Sequence, residues 1–216
     1  MKKRIELLCS LLFPVSSFAD VGCDHGYCSE YMLSNGLCED VIISDVSRGS
    51  LKKAETLLSR YVKEGKCRSN LGDGLRGIPK ETELVLIAGM GGMEIVSILK
   101  EGFLPKNFVF QPMKNTKELR QFLLANGAGI ERDFTFFDEK YYDVLCGTRK
   151  GDTIYSPLEY EFGRENLRER SADFLAFLAE KNKRDAALLK GELPVAAREE
   201  ICARVRRREE VLRGCS

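Results

Sequence analysis

Ile130-Glu-Arg-Asp-Phe-Thr-Phe-Phe-Asp-Glu-Lys-Tyr-Tyr-Asp-Val-Leu-Cys-Gly-Thr-Arg149 holds two β-rich runs, Ile130 to Asp138 and Tyr141 to Arg149, separated only by Glu139-Lys140. Two residues leave no room for a crossover helix, so the runs must pair antiparallel. The chain before them reads differently. Phe18 to Val21, Asp40-Val-Ile-Ile-Ser-Asp45, a weaker run from Cys67 to Asn70, Glu83-Leu-Val-Leu-Ile-Ala88 and Phe108-Val-Phe-Gln-Pro112 are short strands. Glu83 to Ala88 is almost continuously apolar, as expected of a central parallel strand covered on both faces.

Helical spacing fills the intervals. Tyr27 to Asn35 reads as a helix. So do the stretches carrying Leu51, Ala54, Leu57, Leu58 and Tyr61, then Ile95, Val96, Ile98 and Leu99, then Thr116 to Asn126 with Gly127 as its cap. Strands alternating with helices predict a doubly wound parallel sheet. Such a sheet finishing in an antiparallel pair is the signature of the α/β class I S-adenosylmethionine-dependent methyltransferase fold, Rossmann-like and seven-stranded, with an antiparallel last strand. Nicotinamide-binding domains continue instead with parallel crossovers.

The strand ends carry the chemistry. Ser17-Phe-Ala-Asp-Val-Gly-Cys-Asp-His-Gly-Tyr27 is a strand, a glycine-bearing loop and a helix start, a junction that aims backbone N–H groups at a nucleotide-like ligand. It is not the three-glycine dinucleotide fingerprint, because Asp24 stands where a second glycine would be expected. Asp45 ends the second strand at the separation where a carboxylate meets ribose hydroxyls, although it also precedes the helix cap Ser47. Asp73, between Gly72 and Gly74, is placed to accept the exocyclic amine of an adenine, with Leu75 packing on the ring; an Asp-Gly turn without ligand is the alternative. The fourth strand is read as stopping at Gly89-Met-Gly-Gly92 and restarting as a helix, so two adjacent strand ends face one crevice.

In 216 residues, Lys+Arg 34 against Asp+Glu 33 gives no overall charge that would favour nucleic acid, so any basic surface is local. The eight cysteines (9, 23, 28, 38, 67, 146, 202, 215) form no C-x-x-C pair, and His25 is the single histidine, which leaves little material for a metal site. Reduced, mostly buried thiols in a cytoplasmic protein are expected. The N-terminus imitates a secretory signal, but Glu6 interrupts its apolar run, Pro14 ends it, and cleavage after Ala19 would remove the first strand. Ile5, Leu8, Cys9 and Leu12 instead fall at helical spacing, and no stretch is long enough to span a bilayer.

Lys150-Gly-Asp-Thr-Ile-Tyr-Ser-Pro157 marks a boundary between residues 1–150 and a helical appendage, 151–216. One helix is expected to carry Phe162, Leu167, Phe174, Leu178 and Leu188; Gly191-Glu-Leu-Pro194 turns, and a second carries Ile201, Val205 and Leu212. Together they form an antiparallel hairpin. Arg204, Arg206, Arg207 and Arg208 are its densest basic cluster, a solvated face or a phosphate contact.

The combination resembles the bacterial tRNA (adenine-N1)-methyltransferase family TrmK, which modifies adenine 22 in the D-arm region. The matching pieces are Asp20-Val-Gly-Cys-Asp-His-Gly-Tyr27, Gly72-Asp-Gly-Leu75, Ile87-Ala-Gly-Met-Gly-Gly92 and Gln111-Pro112, in order along the catalytic domain. Cys23 and Gly26 depart from the small residue and alanine of the family pattern, and the tail is short for the family's C-terminal coiled coil. The resemblance implies S-adenosylmethionine as methyl donor and tRNA as partner; no metal and no membrane are expected from the composition, and a monomer is favoured with the oligomeric state open. The resemblance also implies that Gly22, Asp24, Asp45, Asp73, Gly74, Ala88 and Gly89 bind the donor. Asp24, His25 and Tyr27 then line its methyl end, Asp24 or His25 taking a proton and Tyr27 stacking on the base. Met90, Gly91 and Gln111 border the base pocket, and Arg4, Arg206 and Arg207 are candidate RNA contacts. There is no Asp/Asn-Pro-Pro-aromatic signature for an exocyclic amine and no Pro-Cys pair for attack on a pyrimidine. Elimination and resemblance together leave a ring nitrogen as target. The competing readings are a nicotinamide-dependent oxidoreductase and a catalytically silent RNA-binding protein that kept the fold.

Overall fold

β1 (Phe18–Val21), β2 (Val41–Asp45), β3 (Cys67–Leu71), β4 (Leu84–Met90), β5 (Asn107–Pro112), β6 (Gly129–Asp138) and β7 (Lys140–Thr148) form one sheet in the order β3-β2-β1-β4-β5-β7-β6. In this computed structural model, which describes residues 2–214, β7 alone runs against its neighbours: it lies between β5 and β6 and pairs antiparallel with both. The mostly parallel Rossmann-like sheet with one antiparallel strand is therefore the fold the sequence predicts. Cys215 lies outside the described residues.

Both faces of the sheet are covered. α1 (Lys3–Ser10), α2 (Tyr27–Ser34), α3 (Arg48–Leu57) and α4 (Ser59–Lys63) lie on one side, where Leu8, Met32, Leu51 and Leu58 meet Phe18, Ile43, Leu84 and Leu86. α5 (Gly92–Glu101) and α6 (Thr116–Ala125) lie on the other, where Ile95, Leu99, Leu119 and Leu123 meet Val21, Val85, Ile87 and Phe110. Alternate residues of β4 enter opposite cores, which is why its sequence is apolar without interruption.

The structure corrects the sequence reading in three places. β4 does not stop at Gly89; it continues through a bulge there to Met90, which pairs with Pro112, and Met113 N donates to Met90 O at 2.8 Å. The helix after Asp45 breaks at Leu58, so that Leu58 turns into the core while Leu57 stays exposed. The expected first tail helix is three: α7 (Pro157–Phe162), α8 (Arg164–Glu169) and α9 (Ala172–Leu188). Gly163 (φ +88°) separates the first two because a Cβ there would lie 2.7 Å from Asp133 Oδ1 and 2.9 Å from an Arg120 guanidinium nitrogen. Arg170 (φ +48°) separates the next two, and its guanidinium closes on the carbonyls of Val211 and Leu212, the last turn of α10 (Val195–Arg213).

The tail is tied to the sheet edge before it departs as a hairpin. Arg132 forks onto Glu165, and Thr135 N donates to Asn166 Oδ1 at 2.8 Å. α9 and α10 then pack through Phe174, Leu178 and Val211, with Arg204 and Arg208 both on Asp185.

Candidate donor and base site

The carboxyl ends of β1, β2, β3 and β4 open into one cleft of about 420 Å³, within the usual range for small-molecule sites. Gly22, Asp24, His25, Tyr27, Asp45, Asp73, Gly74, Ala88, Gly89 and Met90 all line it. Gly22 (φ +73°) lets the loop turn off β1, its N–H donating to Ser44 O at 2.8 Å; a Cβ there would come within 2.4 Å of the Met90 methyl. Gly74 (φ +57°) is crowded likewise, its Cβ position lying 2.8 Å from Ile98. Both glycines keep the cleft open where any side chain would fill it.

Asp24 adopts the left-handed conformation at φ +46°, which a second glycine would take without cost. Holding a carboxylate there stores strain, and its side chain is exposed into the mouth of the cleft, 3.9 Å from His25 Nε2. His25 and Tyr27 stack with centroids 5.5 Å apart and planes 16° from parallel, forming a flat ledge at the start of α2. Asp45 fixes the facing wall: Oδ1 accepts from Ser47 N at 2.8 Å and Oδ2 from Asp24 N at 3.3 Å. One carboxylate thus ties the first and second loops together.

The cleft is acidic. Asp20, Asp24, Asp45, Asp73 and Glu94 line it against the single cation Arg4. That suits a ligand carrying positive charge beside an adenosine, and S-adenosylmethionine, with its sulfonium and ammonium groups, fits this donor set. Cys23, which lines the same loop, is buried, and burial pushes its thiol well above the ordinary range, so it is not a thiolate nucleophile.

A methyltransferase-domain family profile matches residues 1–145. A candidate tRNA methyltransferase of Mycoplasma pneumoniae is 35% identical over 162 residues, covering 72% of this chain and 75% of that one. The tRNA (adenine(22)-N(1))-methyltransferase of Bacillus subtilis is 27% identical over 151 residues, covering 67% and 63%. M. capricolum TrmK, solved with S-adenosyl-homocysteine, superposes with a TM-score of 0.91 at 20% identity, covering 100% of this chain and 99% of that one. The chain belongs to the methyltransferase-domain family.

The sequence-predicted residues of this methyltransferase-family chain divide into those at the cleft and those away from it. Arg4, assigned above to RNA, lies in the donor cleft: its guanidinium donates to Gln111 Oε1 at 2.9 Å and sits 5.6 Å over the Tyr142 ring. Gln111 itself is fully buried, so it meets the cleft only through Arg4. Gly91 caps α5 beside the cleft, next to Lys114. Arg206 is exposed on α10, while Arg207 forks onto Glu161 at 2.7 and 3.3 Å. Leu75 does not face the cleft but is buried in the α5-side core. Sequence reading missed Val46 and Ile98, two of the apolar residues that do line it; Val46 directly follows the strand-end acid and is 69% exposed.

Asp20 was also missed, although it opens the loop motif. It is buried, and burial first of all raises its pKa from 3.8 to about 6, against the hydrogen bond that Ser29 Oγ donates at 2.9 Å. A carboxyl whose folded pKa exceeds its unfolded one costs stability as pH rises from about 4 to 6, and the whole cost persists above 6. Asp20→Asn keeps an acceptor for Ser29 and cannot ionise. Its thermal midpoint relative to the wild type should therefore be higher at pH 7.5 than at pH 4.5; a difference independent of pH in scanning fluorimetry would contradict this.

Proposed function

We propose that the protein transfers a methyl group from S-adenosylmethionine to N1 of adenine 22 in tRNA. The observation that carries this reading is the convergence of four strand ends on one acidic cleft whose mouth bears the stacked His25–Tyr27 ledge. When bound, the donor supplies an electrophilic methyl on a sulfonium. The chain's own residues do the rest. Asp45 holds ribose hydroxyls, Asp73 accepts from the adenine amine, and Val46 and Ile98 sandwich the ring. Arg4 and Met90 border the reacting end, and Tyr27 offers its outer face to the incoming base. Adenine N1 already carries an in-plane lone pair, so alignment and exclusion of water dominate. Asp24, with His25 beside it, holds the N6 proton that becomes acidic once N1 is alkylated. A base buried in folded tRNA must be unstacked to reach this ledge.

Residues 1–150 hold the donor and base sites in this reading, 151–216 the RNA-facing appendage, and the protein works as a cytoplasmic monomer. No helix among the described residues is long and apolar enough to cross a membrane. Among the same residues, no group of three or more His, Cys, Asp or Glu is placed to hold a metal ion.

The test is incubation with labelled methyl donor and unmodified tRNA, followed by nucleoside analysis for 1-methyladenosine. Label in any other nucleoside, or none, would refute the assignment. In the same assay Asp24→Asn, which tolerates the left-handed backbone, should lower kcat by roughly tenfold or more with donor affinity within about threefold. An unchanged kcat would remove the proton-holding role.

A further inference from the structure

The tail arginines that the sequence offers to RNA are mostly occupied. Arg204 and Arg208 share Asp185, Arg207 takes Glu161, and of the cluster only Arg206 makes no ion pair with a described residue. The unpaired cations lie elsewhere. Between the β5–α6 loop and α9 is a second cleft of about 510 Å³, and six cationic side chains line it against three acidic ones. Arg120 is paired with buried Asp133, and Arg204 and Arg208 share buried Asp185, whereas Lys114, Lys117 and Lys181 form no ion pair with any described residue. Of the three acids, Glu161 is paired with Arg207, both Asp143 oxygens accept threonine hydroxyls, from Thr116 at 2.7 Å and Thr135 at 2.6 Å, and Glu118 stands against the three lysines. Aromatic faces accompany the lysines: Tyr141 packs on Phe177 at 5.3 Å, and Lys181 lies 5.3 Å over the Phe177 ring.

The loop that lines this cleft is tied to the end of β4 at the donor site. Lys114 Cε lies 3.3 Å from where a Cβ on Gly91 would sit, and the loop is pinned by Gly92 N to Lys114 O at 2.7 Å and Met113 N to Met90 O at 2.8 Å. The two clefts carry opposite charge: acidic where a cationic donor fits, basic where a polyanion fits.

We infer that the Lys114–Lys117–Lys181 cleft binds the RNA strand beside the target adenine, its lysines on phosphates and the Tyr141–Phe177 pair under an adjacent base. The inference rests on the tRNA reading above. Lysine–phosphate contacts release counterions, each steepening the salt dependence of log K by about 0.7–0.9, and an aromatic under a base adds sequence-tolerant stacking.

The test is tRNA binding by fluorescence anisotropy across 50–300 mM salt for wild type, Lys114→Ala/Lys117→Ala/Lys181→Ala and the corresponding triple arginine variant, with donor affinity and thermal midpoint measured alongside. The alanine variant should bind tRNA at least tenfold more weakly, with a slope shallower by about 2 and intact donor affinity. The arginine variant should retain binding, and Arg206→Ala should shift affinity less than about threefold. Wild-type binding and methylation of tRNA with an unchanged alanine variant would overturn the cleft and leave the substrate assignment standing. A wild type that does not bind tRNA would overturn both.

Discussion

Asp45→Ala should weaken donor binding about 30- to 150-fold, a loss of ~2–3 kcal/mol, the value of charge-assisted hydrogen bonds to two ribose hydroxyls. Two features make the effect large. The carboxylate stands at the end of β2 with one face in the cleft, and it also holds Ser47 N and Asp24 N, so its removal frees the loop that shapes the methyl end. Asp45→Asn retains an acceptor toward Ser47 but no charge, and should fall between wild type and alanine. Calorimetric titration with S-adenosyl-homocysteine measures this without turnover, and titration with NAD in parallel tests the oxidoreductase reading. Equal donor affinity in wild type and alanine variant would remove the ribose assignment.

The cleft at the strand ends was legible in the sequence because it is built from those ends. Backbone geometry fixes where a parallel strand points, so an apolar run followed by glycine or aspartate locates a side chain without knowledge of its neighbours. Gly22, Asp45, Asp73 and Ala88 were placed at the cleft that way. What the sequence left open depends on packing between distant segments. Leu75 and Val46 are both apolar residues within two positions of a strand-end acid, and only the fold decides that Leu75 turns into the core beside Gly102 while Val46 turns toward the cleft. The helical periodicity from Phe162 to Leu188 continues straight through Gly163 and Arg170, because the reasons for those breaks lie at Asp133, Arg120 and the carbonyls of Val211 and Leu212. Charge was the least legible. A run of arginines reads as a basic surface until Asp185 and Glu161 are found beneath it, while three scattered lysines attract no notice until the fold gathers them.

Arg120→Met should be the most destabilising single change, by about 3–5 kcal/mol, lowering the thermal midpoint by roughly 6–20 °C for a chain of this length. Arg120 is 1% exposed, forks onto Asp133 at 2.7–3.1 Å and caps the carbonyls of Tyr160 and Glu161 at 3.3 Å, while Tyr155 Oη donates to Asp133 at 2.9 Å. Burial works against the guanidinium charge, and the Asp133 carboxylate more than offsets it, so Arg120 is held above its ordinary range. Methionine would leave Asp133 charged and buried with only the tyrosine hydroxyl. Arg120→Met/Asp133→Leu removes both charges and should recover much of the loss; a double variant no more stable than the single one would show that shape rather than charge is at stake. The functional consequence separates the two clefts. Arg120 joins α6 to α7 and lines the basic cleft, whereas the donor cleft is assembled from the ends of β1 to β4 with α1, α2 and α5, without it. Below its lowered midpoint the single variant should therefore lose affinity for tRNA before it loses affinity for donor, and simultaneous loss in paired titrations would mean that sheet edge and donor site unfold as one unit.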